Sequence, residues 1–173
     1  MKGLFSIIFF LSINYKVFSK DIDWPFFTKD SLPKILTFEQ LKPLLSTKSD
    51  SVFVINFWAT WCAPCVAELP YFEKLSTEFS DKKVKIILVS LDFKSQFQSK
   101  LLPFIQKNRI KSEIYLLSEK DPNVWIPKVN EQWSGSIPAT LIFDKKNRQF
   151  YEQSFDSYKD LKKIIKPFLD SNY

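Results

Sequence analysis

Cys62 and Cys65 are the only thiols in this 173-residue chain, and two residues separate them. They follow closely on the apolar run Val52-Phe53-Val54-Ile55-Asn56-Phe57-Trp58. An isolated pair at this spacing, where a strand gives way to a helix, is the layout of a dithiol/disulfide redox site. Unpaired backbone N–H groups at a helix start stabilise a thiolate, and a second thiol one turn on can resolve a mixed disulfide. Rival chemistries lack their parts. A structural zinc needs four N or S ligands, and the chain offers two cysteines and no histidine. Lack of histidine also removes Cys–His hydrolysis and His-ligated haem or copper. A purely structural bridge across so short a loop would remove little unfolded-state entropy.

Other residues take their meaning from these two. Cys65 and Glu68 are three apart and share a helical face. A carboxylate partly buried there could take the proton of the resolving thiol. Spacing equally suits a solvated glutamate favoured by the helix dipole. Trp61, next to Cys62, is expected to form an apolar docking surface, and Trp58 to be core. Trp125 and Trp133 fit either role. Pro138 opens a strand after Ser134-Gly135-Ser136, as an ordinary strand-opening proline does.

The elements that position these residues are legible in outline. Thr37-Phe38-Glu39-Gln40 has the form of a capping box, opening a short helix to about Ser46. Val52 to Phe57 is a buried strand. A helix runs from Cys62 to about Ser80, with Cys65, Leu69, Phe72, Leu75 and Phe79 on its core face and Pro70 expected to kink it. Val84 to Leu91 is a second strand. Phe93 to Asn108 is helical, interrupted near Pro103, with Phe97, Leu101, Phe104 and Ile105 on one side. Ile114 to Leu117 is a short strand. Asp121-Pro122 could cap a short helix that Pro127 limits. Ala139 to Phe143 and Arg148 to Glu152 flank a polar turn, and Ser157 to Leu169 is a closing amphipathic helix. This order predicts an α/β fold, a mixed central sheet with helices on both faces.

Composition fits one globular domain: 45% hydrophobic residues, 18 Phe and 2 Gly. Residues 1–19 read as a secretory signal peptide, with Lys2, an apolar stretch from Leu4 to Ile13, and Val17-Phe18-Ser19 before a mature start near Lys20. The alternative is an uncleaved anchor, for which the stretch is short. Residues 20–36 are expected to be irregular, with the folded domain at 37–173. Export to an extracytoplasmic, periplasmic space would place the cysteines where disulfides form or are actively reduced. The formal charge of +6 comes from scattered lysines, which read as solvated surface and not as a nucleic-acid or membrane footprint.

Three segments together resemble the thioredoxin superfamily, specifically the exported thiol-disulfide reductases of the TlpA/ResA kind. They are the stretch from Val54 through Trp61-Cys62-Ala63-Pro64-Cys65, then Glu68-Leu69-Pro70, then Trp133-Ser134-Gly135-Ser136-Ile137-Pro138-Ala139-Thr140. The likeness covers about Thr37 to Tyr173. It implies a thioredoxin fold with an insertion between the second core strand and a cis-proline motif. The 73 residues from Cys65 to Pro138 leave room for one.

By this resemblance Cys62 is the exposed attacking cysteine and Cys65 the buried resolving one, the two forming the redox disulfide. Glu68 matches an acid of the reductase branch, and Asn56 stands where plain thioredoxins keep a buried acid. Pro138 follows a cis bond, so that Ile137 presents backbone groups to an extended substrate. Trp61 and Pro64 complete the substrate-binding surface. No cofactor or metal is needed. The expected partners are disulfide-containing exported proteins and an upstream thiol-protein electron donor, which could be membrane-embedded. The expected activity is protein disulfide reduction. An oxidase or isomerase, a thiol peroxidase and a non-catalytic binding module on the same fold are the alternatives.

Overall fold

Continuous apolar character makes Val52–Trp58 a strand covered on both faces, and all seven of its residues are buried. A computed structural model describes residues 32–80 and 83–170. The chain order is β1 (Lys34–Leu36), α1 (Phe38–Leu45), β2 (Val52–Trp58), α2 (Ala63–Glu78) and β3 (Val84–Ser90). A 3₁₀ turn (Lys94–Gln96) and a π turn (Phe97–Leu101) then lead into α3 (Leu102–Asn108). There follow β4 (Glu113–Leu117), α4 (Pro122–Val129), β5 (Ala139–Phe143), β6 (Arg148–Tyr151) and α5 (Tyr158–Asp170). The six strands form one sheet in the order β1-β4-β3-β2-β5-β6. β1, β4, β3 and β2 are mutually parallel, β5 runs antiparallel to β2, and β6 runs antiparallel to β5.

Two apolar layers enclose the sheet. One joins α2, the π turn and α5 to Val54, Trp58 and Leu88, with Leu69, Phe72, Leu101, Leu161 and Phe168 deep inside it. The other sets α1 and α4 against Ile55, Phe57, Val89 and Leu141. Trp125 and Trp133 both belong to this second core. Their rings meet edge to face at 5.4 Å, and Phe57 lies 4.8 Å from Trp133. Arg148 binds the α1 and α4 ends to the sheet, donating to the Leu45 carbonyl at 2.8 Å and the Val129 carbonyl at 3.1 Å. These are carbonyls that a helix end leaves unpaired.

Several expectations are met in detail. Thr37 caps α1 through a reciprocal box with Gln40, and the core face of α2 is buried throughout. The segment between β3 and Pro138 holds the 3₁₀ and π turns, α3, β4 and α4. Others are corrected. Lys34–Leu36, placed in the irregular segment, is a strand, because Leu36 and its neighbours find open pairing groups on β4. α4 passes through Pro127 to Val129. The helical interruption lies ahead of Pro103. That residue has no N–H for the carbonyl four back, and the preceding turn widens to close with Leu102 N–H on Phe97 O. Residues 1–19, and 20–31 of the expected irregular segment, lie outside the described residues. Among those described, no helix is long and apolar enough to cross a membrane.

Candidate redox site

Cys62 is the N-cap of α2, with extended backbone at φ −91° and ψ 98°. Its sulfur turns back over the first turn and accepts the Cys65 N–H at 3.3 Å. A cap oxygen normally takes that donor. A sulfur in its place is held where the helix dipole favours negative charge. Cys62 and Cys65 are joined in a disulfide. Ile137 comes to the same sulfur from the far side of the fold, its carbonyl oxygen 3.7 Å from Cys62 Sγ. The Ile137–Pro138 peptide is cis, as the resemblance implied.

Cys62 was expected to be exposed, and it is only 6% so. The reason is the cap: the side chain folds inward between its own helix start and Ile137. Cys65 is wholly buried, so Cys62 remains the more accessible sulfur. Trp61 is 58% exposed and Pro64 is exposed, while Trp58 is fully buried. Trp61 and Pro64 thus leave apolar surface beside the disulfide.

Glu68 is 1% exposed, which removes the solvated-glutamate alternative. Asn56 Nδ2 donates to its Oε1 at 3.0 Å and to Thr140 Oγ1 at 3.1 Å. The Phe155 N–H donates to its Oε2 at 2.9 Å. Burial pushes the carboxyl up to about 7, against the lowering influence of those two hydrogen bonds. A carboxyl of that strength both takes and returns a proton near neutrality. It stands one turn beyond Cys65 on the same buried face of α2.

Sequence reading missed two supports. Asp92, buried at 3% exposure, accepts the Thr60 N–H at 3.0 Å, the Thr60 hydroxyl at 2.5 Å and the Ser90 hydroxyl at 2.8 Å. β2 and β3 are parallel with Trp58 opposite Ser90, and the link from Thr60 to Asp92 continues that register two residues on. An acid directly after an apolar parallel strand was the available signal, because such strands end together at one rim. The second support is Glu152, whose carboxylate accepts the Ser134 N–H at 3.1 Å and the Ser136 N–H at 3.0 Å. It holds the loop just before the cis proline.

The family model described as AhpC/TSA matches residues 40–148. The sporulation thiol-disulfide oxidoreductase A of Bacillus subtilis is 33% identical over 93 residues, covering 54% of this chain and 53% of that protein. The thiol-disulfide oxidoreductase ResA of Bacillus cereus is 28% identical over 102 residues, covering 59% and 53%. The chain thus spans about half the length of these curated relatives. Among solved structures, a thioredoxin family protein of Chlorobium tepidum superposes with a TM-score of 0.59 at 18% identity, covering 81% of this chain and 99% of that one. A secreted thiol-disulfide isomerase of Corynebacterium glutamicum gives 0.57 at 18%, covering 70% and 72%. At such identities the structural likeness shows the fold alone, and that fold is thioredoxin's.

Proposed function

This chain belongs to the AhpC/TSA family, and we propose that within it the protein is a thiol-disulfide oxidoreductase that reduces disulfides of exported proteins. The observation that carries the reading is the Cys62 sulfur itself. It caps α2 on the Cys65 amide, bonded to Cys65 on one side and facing the Ile137 carbonyl on the other.

In the reduced state the Cys62 thiolate attacks one sulfur of a partner disulfide. The partner's other sulfur leaves as a thiolate and takes a proton, and a mixed disulfide remains. Cys65 gives its proton to Glu68 and attacks Cys62 Sγ, which expels the second partner thiolate. Two electrons have passed from the dithiol to the partner, and the oxidised pair is the state described here. A thiol protein of lower potential must return those electrons before the next cycle. Export is supported by the leader-like residues 1–19 and by the secreted likeness reported above.

Reduction, not oxidation, is favoured because Ala63-Pro64 supplies no cation to stabilise the Cys62 thiolate. An ionised Glu68 opposes a nearby thiolate as well. Both effects make the dithiol a better electron donor. The expected reduction potential is nearer thioredoxin's, about −270 mV, than DsbA's, about −120 mV. Equilibration with glutathione buffers measures it. A value at or above about −180 mV would transfer the protein to the oxidase or isomerase class. The Cys65→Ala variant should accumulate mixed disulfides through Cys62, and their absence from extracytoplasmic extracts would remove the protein-substrate reading. Turnover of hydrogen peroxide faster than of disulfides would favour the peroxidase instead.

A further inference from the structure

The loop that carries Ile137 is gripped from two sides. Glu152, one residue past the end of β6, reaches back across the hairpin. Tyr151 pairs with Thr140 near the start of β5, which puts the Glu152 carboxylate beside the Ser134–Ser136 loop. Oε2 accepts the Ser134 N–H at 3.1 Å, and Oε1 accepts the Ser136 N–H at 3.0 Å together with the Ser134 hydroxyl. The two serine hydroxyls lie 3.0 Å apart. Between them Gly135 takes φ +95°, which only glycine adopts without strain. From the core side the Trp133 indole N–H donates to the Ser136 carbonyl at 2.8 Å.

One carboxylate therefore gathers two amides and a hydroxyl. Burial would raise its pKa, but these hydrogen bonds hold it below the usual carboxylate range. Residue 137 is the next along. Its carbonyl faces Cys62 Sγ, and its N–H has no partner among the described residues. An extended chain pairing there needs both groups held still. A carboxylate that fixes the preceding amides lowers the ordering cost of that pairing.

We propose that Glu152 is a positioning residue for docking of disulfide-bearing polypeptide, holding the Ser134–Ser136 loop so that the Ile137 backbone meets an extended partner. The inference rests on the disulfide chemistry proposed above. Small disulfides make no backbone pairing, so the loop matters for peptides and not for them.

The test compares two substrates in the full chain carrying Glu152→Ala or Glu152→Gln. One is a disulfide-linked peptide in extended form, the other 5,5′-dithiobis(2-nitrobenzoate). Glu152→Ala should raise KM for the peptide about tenfold, the scale of one lost hydrogen bond, with kcat little changed. Its rate with the small disulfide should stay at that of the unaltered protein. Glu152→Gln keeps one acceptor oxygen and should recover part of the loss. Equal effects on both substrates, or none on either, would overturn the positioning role. Failure of the unaltered reduced protein to react with the small disulfide would instead overturn the proposed function.

Discussion

Replacing Glu68 by Gln should abolish a specific part of the protein's pH dependence. Folded Glu68 titrates at about 7, against an ordinary 4.5, chiefly because it is desolvated. The folded state therefore holds a proton between those values that the unfolded state has released. Unfolding free energy falls with rising pH wherever the native state binds more protons. The contribution is complete below about pH 4.5 and is lost as pH rises to about 7. Moving one carboxyl across that interval amounts to about 3 kcal/mol. Glu68→Gln has no such proton and should show no such loss. Its fold should persist, because Asn56 Oδ1 has no hydrogen-bond partner. The Asn56 amide can turn over and offer that oxygen to the new NH₂ group. The assay is urea unfolding of the oxidised proteins between pH 4 and 8, read as the difference between the two. Glu113 is also raised by burial, but it is common to both and cancels. A difference that stays within about 0.5 kcal/mol across the range, or grows in the opposite direction, would refute the desolvation account.

In the reduced protein Cys62 should alkylate faster than Cys65, which is wholly buried; mass mapping of iodoacetamide labelling decides it, and faster labelling of Cys65 would reverse the assignment. Asp92→Ala leaves the Thr60 amide and the Thr60 and Ser90 hydroxyls without their acceptor, and should lower the unfolding free energy by about 1–3 kcal/mol. Chemical denaturation reads that loss, and an unchanged midpoint would mean the loop before Cys62 is held by other contacts.

How much could be read from the chain depends on the range of the interactions involved. Cys62, Cys65 and the buried face of α2 follow from spacing and periodicity, which are local. The Thr37 box is local too. The burial of Glu68 is not, because it needs Asn56, Thr140 and Phe155, which lie 12 to 87 residues away. Spacing left Glu68 open between a catalytic and a solvated role, and only the packing of β2 and the chain before α5 around it removes the solvated one. Asp92 and Glu152 escaped notice for the same reason. Each acts through a strand register, Trp58 against Ser90 and Thr140 against Tyr151, and register is set by the assembled sheet. Pro127 misled in a different way. It lacks one donor, yet α4 continues past it to Val129, since tertiary packing outweighs a single missing bond.

The three residues of β1 act as insulation. β1 forms the outer margin of the sheet and covers β4 along Tyr115, Leu116 and Leu117. The neighbouring turn is latched by Ser118 N–H on Leu36 O at 2.8 Å and by Phe38 N–H on Glu119 at 2.5 Å. A chain cut at Thr37 would bare an apolar strand whose unpaired amides invite any other strand to join. Behind β1 that strand has no free side, and β1 itself is too short to recruit a neighbour for long. Among the described residues the sheet starts at Lys34, and this first short strand shields β4 from pairing with another copy of the same sheet.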